Sequence, residues 1–198
     1  MTGIILSAGK QSRWINNNEP KQLSVVYGQR LMDRHLAQFA GHYITPIVVA
    51  WRREIIDRAL ITWNTGGPTE SLVHAILLTE PLWSNRTILL HGDTYVFDHM
   101  FNELMHDPLP LRFWMNESEI YAVTFTRDRH ELLSYAARYV QSQDVPQEIR
   151  TIYRHLIGVP IAGAFKPVPT VLSGKFINSC TDMFDVDSPD QLAKYPAP

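Results

Sequence analysis

Cysteine is nearly absent: Cys180 stands alone in 198 residues. An intramolecular disulfide is therefore excluded, and with it the disulfide-stapled secreted scaffolds. Cysteine-based zinc clusters fall on the same ground. The eight histidines are scattered, with no HExxH-like pair on a helix. No apolar run approaches the roughly 20 residues that span a bilayer, so no membrane association is expected. A net charge of −2 gives the chain no general attraction to nucleic acid. The familiar phosphate-binding glycine motifs are missing too. GxxxxGK[ST] would need a glycine at Ile4 and a hydroxyl at Gln11, and nothing spaces glycines as GxGxxG does. Internal repeats, low-complexity tracts and clear linkers are likewise lacking. With 45% hydrophobic and 19% charged residues, the composition is that of an ordinary globular protein. A single unpaired cysteine, and an apolar strand pattern from residue 3, set the expectation of a cytoplasmic chain without a signal peptide.

What is present is unevenly distributed. Lys10, Arg13, Lys21 and Arg30 face only Glu19 in the first thirty residues, a local balance of +3. Against −2 for the whole chain, that leaves −5 for the rest. The positive charge sits where an apolar run empties into Gly9. Residues 3–8 read as a buried strand and 9–23 as loop. Helical spacing follows over Leu31–Phe39, an apolar strand over Ile44–Trp51, and helix over Arg52–Leu60. Trp63–Pro68 reads as loop and Thr69–Thr79 as helix. A strand over Thr87–His91 ends in Gly92-Asp93. Helix is expected over Phe97–Met105, strands over Leu111–Trp114 and Tyr121–Phe125, and helix over Asp128–Gln141, with Tyr135, Tyr139 and Val140 packing the core or a partner subunit. From Val145 to Lys175 the pattern is poor and proline-rich, with a strand expected near Leu156–Ala162. The chain closes with an extended Met183–Asp187 and a short helix from Pro189. Strands alternating with helices, their apolar runs continuous, predict a mainly parallel mixed sheet covered on both faces, a three-layer α/β/α sandwich. One domain, 1–198, is expected, with its long insertions mostly after residue 106.

In open α/β sheets ligands bind at the carboxyl ends of strands, and three such ends carry suitable groups. Gly9 lets backbone approach a ligand closely, while Arg13 offers a guanidinium fork and Lys21 a point charge for phosphate. Asp93, just past a buried strand, is either a Mg²⁺ ligand or a helix cap. Asp185 and Asp187 alternate onto one face of an extended segment. Ser188-Pro189-Asp190-Gln191 reads as a capping box behind them.

The ordered set Leu6-Ser7-Ala8-Gly9-Lys10-Gln11-Ser12-Arg13, Pro20-Lys21-Gln22-Leu23, Gly92-Asp93 and Asp185-Val186-Asp187-Ser188-Pro189 resembles the nucleotidyltransferases of GT-A-like fold. These act on sugar phosphates, phosphocholine, molybdopterin and isoprenoid alcohol phosphates. Gly66–Ile76 is similar to the family segment that meets the nucleotide base. Gln11 departs from the pattern, standing where the family has its second loop glycine. The resemblance implies transfer of NMP from an NTP to a small phosphorylated acceptor, with pyrophosphate released. It implies catalytic roles for Arg13 and Lys21, and nucleotide contacts from Leu6, Ser7, Ala8, Gly9, Lys10, Gln11, Gly66, Ser71 and Gly92. It also implies Mg²⁺ on Asp93, Asp187 and, as a third acid, Asp185. It divides the single domain 1–198 into a nucleotide-binding half, 1–105, and an acceptor-binding half, 106–198. Arg154, Lys166 and Lys175 fall where the family binds its acceptor, and a homodimer is compatible with it. His91 and Trp14 stand open between nucleotide contact and ordinary structure. Two rivals remain open: a glycosyltransferase with Asp185-Val186-Asp187 as its metal motif, and a non-catalytic nucleotide-binding relative.

Overall fold

The computed structural model describes residues 1–9, 19–116, 119–162, 177–179 and 183–186. In chain order the strands are β1 (Thr2–Leu6), β2 (Val25–Val26), β3 (Gln29–Arg30), β4 (Ile47–Ala50), β5 (Ile61–Asn64), β6 (Arg86–His91), β7 (Thr94–Val96), β8 (Leu111–Met115), β9 (Ile120–Thr126), β10 (Ile177–Ser179) and β11 (Met183–Asp185). The α-helices are α1 (Leu31–Gly41), α2 (Arg53–Ile56), α3 (Leu72–Leu78), α4 (Asp98–His106), α5 (His130–Gln141) and α6 (Ile149–Leu156). Seven strands form one sheet in the order β10–β8–β9–β6–β1–β4–β5. Every neighbouring pair is parallel except the two made by β9, which alone runs against the rest.

The continuous apolar runs are explained by helices on both faces. Successive residues of β1 point to opposite sides. Ile4 and Leu6 enter a core with Val73 and Ile76 of α3, Ala136 and Val140 of α5, and Ile152 of α6. Ile5 enters the other, with Met32 and Phe39 of α1 and Phe101 and Leu104 of α4. The expected three layers and mainly parallel sheet are therefore present.

Five elements differ from the sequence expectation. β5 begins just after the expected helix Arg52–Leu60 and takes in Trp63 and Asn64, which were expected as loop, and α2 is only four residues long. β5 is the sheet's edge and mostly exposed, so it lacks the apolar run that marks a central strand. Residues 149–156 are helical, and no strand forms over the described residues 156–162. The signal in α6 was an apolar stripe of Ile149, Ile152 and Tyr153, buried on one side. β10 adds parallel to β8 at the far edge. Finally, β11 does not join the main sheet: it pairs antiparallel with β7 in a separate two-stranded ribbon.

That ribbon has its own apolar anchor. Tyr95 of β7 stacks on Phe184 of β11, ring centroids 5.1 Å apart. Val26, Leu31 and Val186 are buried beside them, with Tyr27 packed against the cluster. Tyr27 and Gly28 turn the β2–β3 hairpin with φ of 48° and 78°, the left-handed pair a two-residue type I′ hairpin requires.

Candidate active site

The site begins where β1 ends. Ser7 donates its N–H to Val49 O at 2.8 Å, Ala8 O accepts from Thr69 N at 2.8 Å, and Gly9 bridges Thr69 in parallel. The start of the glycine loop is thus clamped to the segment that leads into α3. From the other side, Gly92 N donates to Leu6 O at 3.0 Å. A Cβ on Gly92 would stand 2.1 Å from Ser7 Oγ, 3.2 Å from Leu6 O and 3.3 Å from Gln22 Cγ. Only glycine lets the β1 end, the β6 end and the Gln22 turn meet this closely.

Lys21 opens a single 3₁₀ turn, Lys21–Leu23, behind Pro20. Leu23 is buried in the core and fixes that turn. The Lys21 ammonium contacts Asp93 Oδ2 and lies 4.0 Å from Asp185 Oδ2. The three side chains are only 14%, 18% and 23% exposed. Asp93 sits in the two-residue link from β6 to β7. Asp185 arrives from the chain's far end through the ribbon, where it pairs with Thr94. Val186 N ties the two acids together, donating to Asp185 Oδ1 at 2.8 Å and to Asp93 O at 3.2 Å. Burial pushes the Asp93 carboxyl up, but the Lys21 charge, with help from His91, more than offsets this and holds it below the usual carboxylate range. His91 is held low, mainly by burial and also by the Lys21 charge against the pull of Asp93. Its Nε2 is buried without a hydrogen-bond partner among the described residues.

These residues suit a small, hard divalent cation. Two carboxylates from separate segments converge on one positive centre, and Mg²⁺ takes one or two carboxylates with water and phosphate completing its shell. No group of three or more histidine, cysteine or acidic side chains occurs among the described residues that would hold a metal unaided.

Beside this cluster lies a cleft of about 480 Å³. Of the residues singled out from sequence, Leu6, Ala8, Gly9, Lys21, Ser71, His91 and Asp93 line it. Ser7 and Gly92 form the packed junction beneath. Ser71 also caps α3, accepting from His74 N at 3.0 Å. Gly66 is not among the lining residues. It occupies a turn with φ 73°, its N–H bonded to Asn64 Oδ1 at 2.9 Å. Gln22, Thr69, Glu70, Leu72 and Ala75, which also line it, fall within the quoted segments Pro20–Leu23 and Gly66–Ile76 without having been named as site residues; sequence reasoning missed Gln147 and Glu148, which complete the lining. Gln147 and Glu148 lie just before α6, in the stretch where no helix was expected.

Arg154 is buried and donates from Nε to Pro160 O at 2.8 Å. Tyr139 stacks on His155 at 4.2 Å, Val140 is core, and Tyr135 is exposed. Lys10, Gln11, Arg13, Trp14, Lys166, Lys175, Asp187 and the capping box at Ser188 lie outside the described residues. No helix among the described residues is long and apolar enough to cross a membrane.

Compared by sequence, the chain matches no family model and no curated protein. Compared by structure, it is similar to CTP:phosphocholine cytidylyltransferase from Streptococcus pneumoniae, with TM-score 0.66, 16% identity, and 98% of this chain covering 96% of that one. A protein assigned as a glucose-1-phosphate thymidylyltransferase from Bacillus anthracis gives TM-score 0.64 and 13% identity, over 98% and 93% of the two chains. The inositol-1-phosphate CTP transferase from T. maritima gives 0.61 and 12%, over 96% and 90%. The chain therefore has the α/β fold of these nucleotidyltransferases along nearly its whole length.

Proposed function

We propose that the protein is a Mg²⁺-dependent nucleotidyltransferase. It transfers a nucleoside monophosphate from an NTP to a small phosphorylated acceptor, a sugar or alcohol phosphate, and releases pyrophosphate. The observation that carries this reading is the Lys21 ammonium set between Asp93 and Asp185 beside the Gly9 cleft. Glycosyl transfer from a nucleotide sugar has less need of the two basic residues, Arg13 and Lys21, that follow Gly9 in the sequence and suit a triphosphate.

In this reaction an acceptor phosphate oxygen attacks the α-phosphorus. Its new P–O bond forms as the bond to the bridging oxygen breaks, and that oxygen departs with pyrophosphate. Such transfer needs positioning and charge neutralisation more than covalent help. The Gly9 loop, with Lys10 and Arg13, holds the β- and γ-phosphates. Lys21 offsets charge developing at the α-phosphate, an interaction that strengthens towards the transition state. Asp93 and Asp185, with Asp187, would hold Mg²⁺, which when bound neutralises phosphate oxygens. The low exposure of the cluster strengthens each of these interactions by excluding water.

The test is pyrophosphate release from CTP, UTP, ATP, GTP and dTTP against a panel of sugar and alcohol phosphates in MgCl₂. Release that depends on one NTP and one acceptor supports the reading, with Lys21→Ala lowering the rate on the order of 10²–10³. Sugar release from a nucleotide sugar with no pyrophosphate from any NTP overturns it.

A further inference from the structure

Lys21 and the two carboxylates it faces are mounted on one helix. Ser24 N donates to Lys21 O at 3.0 Å, and Ser24 O accepts at 3.1 Å from the N–H of Leu31, where α1 begins. The Lys21 turn is thus tied to the start of α1. From the next turn of that helix, Arg34 Nε and Gln38 Nε2 both donate to Val96 O of β7, at 3.0 and 2.9 Å. The same two side chains also bond Asp98 Oδ1 at the start of α4, Arg34 Nη2 at 2.6 Å and Gln38 Nε2 at 2.9 Å. The Arg34 guanidinium lies over the Tyr95 ring, 4.5 Å from its centroid.

Two donors fill both lone pairs of Val96 O. The Gln38 amide is oriented for this: Val96 O and Asp98 Oδ1 are acceptors that only its nitrogen can serve, and Nδ1 of the buried His35 stands 3.4 Å from its oxygen. β7 needs such bonds because it belongs to a two-stranded ribbon apart from the main sheet, and two strands alone are marginally stable in water. The apolar cluster of Val26, Leu31, Tyr95 and Val186 anchors the ribbon, but apolar contact is non-directional and does not fix where β7 stands along α1. Hydrogen bonds of narrow geometry do. Asp93 immediately precedes β7, and Asp185 pairs with Thr94 across the ribbon. A shift of β7 along α1 therefore moves both carboxylates against Lys21.

Resting on the nucleotidyltransferase reading, we infer that Arg34 and Gln38 are positioning residues for the reaction. Through Val96 O they hold the ribbon so that Asp93 and Asp185 meet the Lys21 ammonium at the spacing the transition state requires. Neither lines the Gly9 cleft; both act from the groove between α1 and α4. The arginine fork suits the task because it reaches a carbonyl and a carboxylate at once, which a lysine point charge does not. Misplacing a reacting group by about 1 Å costs on the order of 10²-fold in rate. The loss falls on turnover more than on NTP binding, because the Lys21 interaction strengthens towards the transition state.

Arg34→Lys keeps the positive charge and loses the fork, and Gln38→Leu keeps the side-chain volume and loses the donor. Both positions are partly exposed, and circular dichroism checks that each variant folds. Two readouts are taken on the full chain. One is steady-state pyrophosphate release in MgCl₂. The other is acetylation of Lys21 by acetic anhydride in EDTA, followed by peptide mass spectrometry and scaled to the exposed Met1 amine. Each variant is expected to lower kcat tenfold or more, with KM for the NTP within threefold of wild type. Each should also acetylate Lys21 at least threefold faster, as the ammonium is released from its two carboxylates. Wild-type kcat in both folded variants overturns the inference. So does a lowered kcat with Lys21 acetylated at the wild-type rate, since the loss then does not pass through this centre. A wild-type chain without turnover on any NTP overturns the nucleotidyltransferase reading, and the acetylation rates still decide whether α1 sets the centre.

Discussion

Replacing Lys21 by methionine keeps most of the side chain's reach and removes its charge. Two carboxylates of low exposure then lose the ammonium both approach. For the longer contact, 4.0 Å to Asp185, the gross attraction is about 4 kcal/mol at an effective dielectric of about 20. The closer Asp93 contact is stronger, and desolvation of all three ions offsets much of the sum. Breaking a buried pair by deleting one partner typically costs about 3–5 kcal/mol. Because the Lys21 and Asp93 side chains retain 14% and 18% exposure, the lower end, about 3 kcal/mol, is expected here. Adding Asp93→Asn removes the charge left uncompensated, so the double variant should unfold at higher urea than Lys21→Met alone, while both remain inactive. The acid limb gives a second readout. The folded Asp93 carboxyl titrates below its unfolded value of 3.8, so the unfolded chain takes up the proton first as pH falls. The stability this group contributes is complete above that value and is lost as pH drops through the folded one. Lys21→Met should remove most of that loss. The assay is urea denaturation by tryptophan fluorescence, in EDTA so that no cation replaces the ammonium. A Lys21→Met protein as stable as wild type, or a double variant less stable than the single, would refute the reasoning.

Gly92→Ala places a methyl 2.1 Å from Ser7 Oγ. It should cost about 1–3 kcal/mol from overpacking and displace Asp93, measured as a lowered melting temperature together with lost pyrophosphate release. Asp107 is buried, accepts from Thr124 Oγ1 at 2.9 Å and Leu109 N at 3.2 Å, and lies 3.3 Å from Arg112 Nε and 3.8 Å from Arg86 Nη2. Asp107→Ala should cost about 3–5 kcal/mol by leaving buried guanidinium charge uncompensated, again read by urea denaturation. Burial lowers His35 from 6.5 to about 4, against opposing hydrogen bonds to Gln38 and Thr94. The unfolded chain therefore binds a proton that the folded one refuses, and about 3 kcal/mol of stability present above pH 6.5 should drain away towards pH 4. In His35→Gln that slope should flatten.

Much of this was legible in one dimension because it rests on local physics. An apolar run with no polar interruption, such as Ile4–Leu6 or Thr87–Leu90, has to be buried on both faces, so the layered sheet follows from the runs themselves. Gly92-Asp93 marks a strand end because glycine breaks the run and the carboxylate cannot enter the core. What escaped was whatever depended on a distant partner. β5 is a strand because β4 offers it an open edge. α6 buries its stripe of Ile149, Ile152 and Tyr153 only when α3 and α5 are in place. The resemblance put Asp185 beside Asp93, but not the ribbon that carries it there, held by Tyr95 stacking on Phe184, residues far apart in sequence. The sequence by itself determined which segments are buried and which residue types could meet phosphate and metal, since burial and charge belong to each residue. Only the tertiary structure decided that Lys21, Asp93 and Asp185 share one centre and that Gln147 and Glu148 wall the same cleft, because convergence depends on strand order and packing, which no local stretch contains.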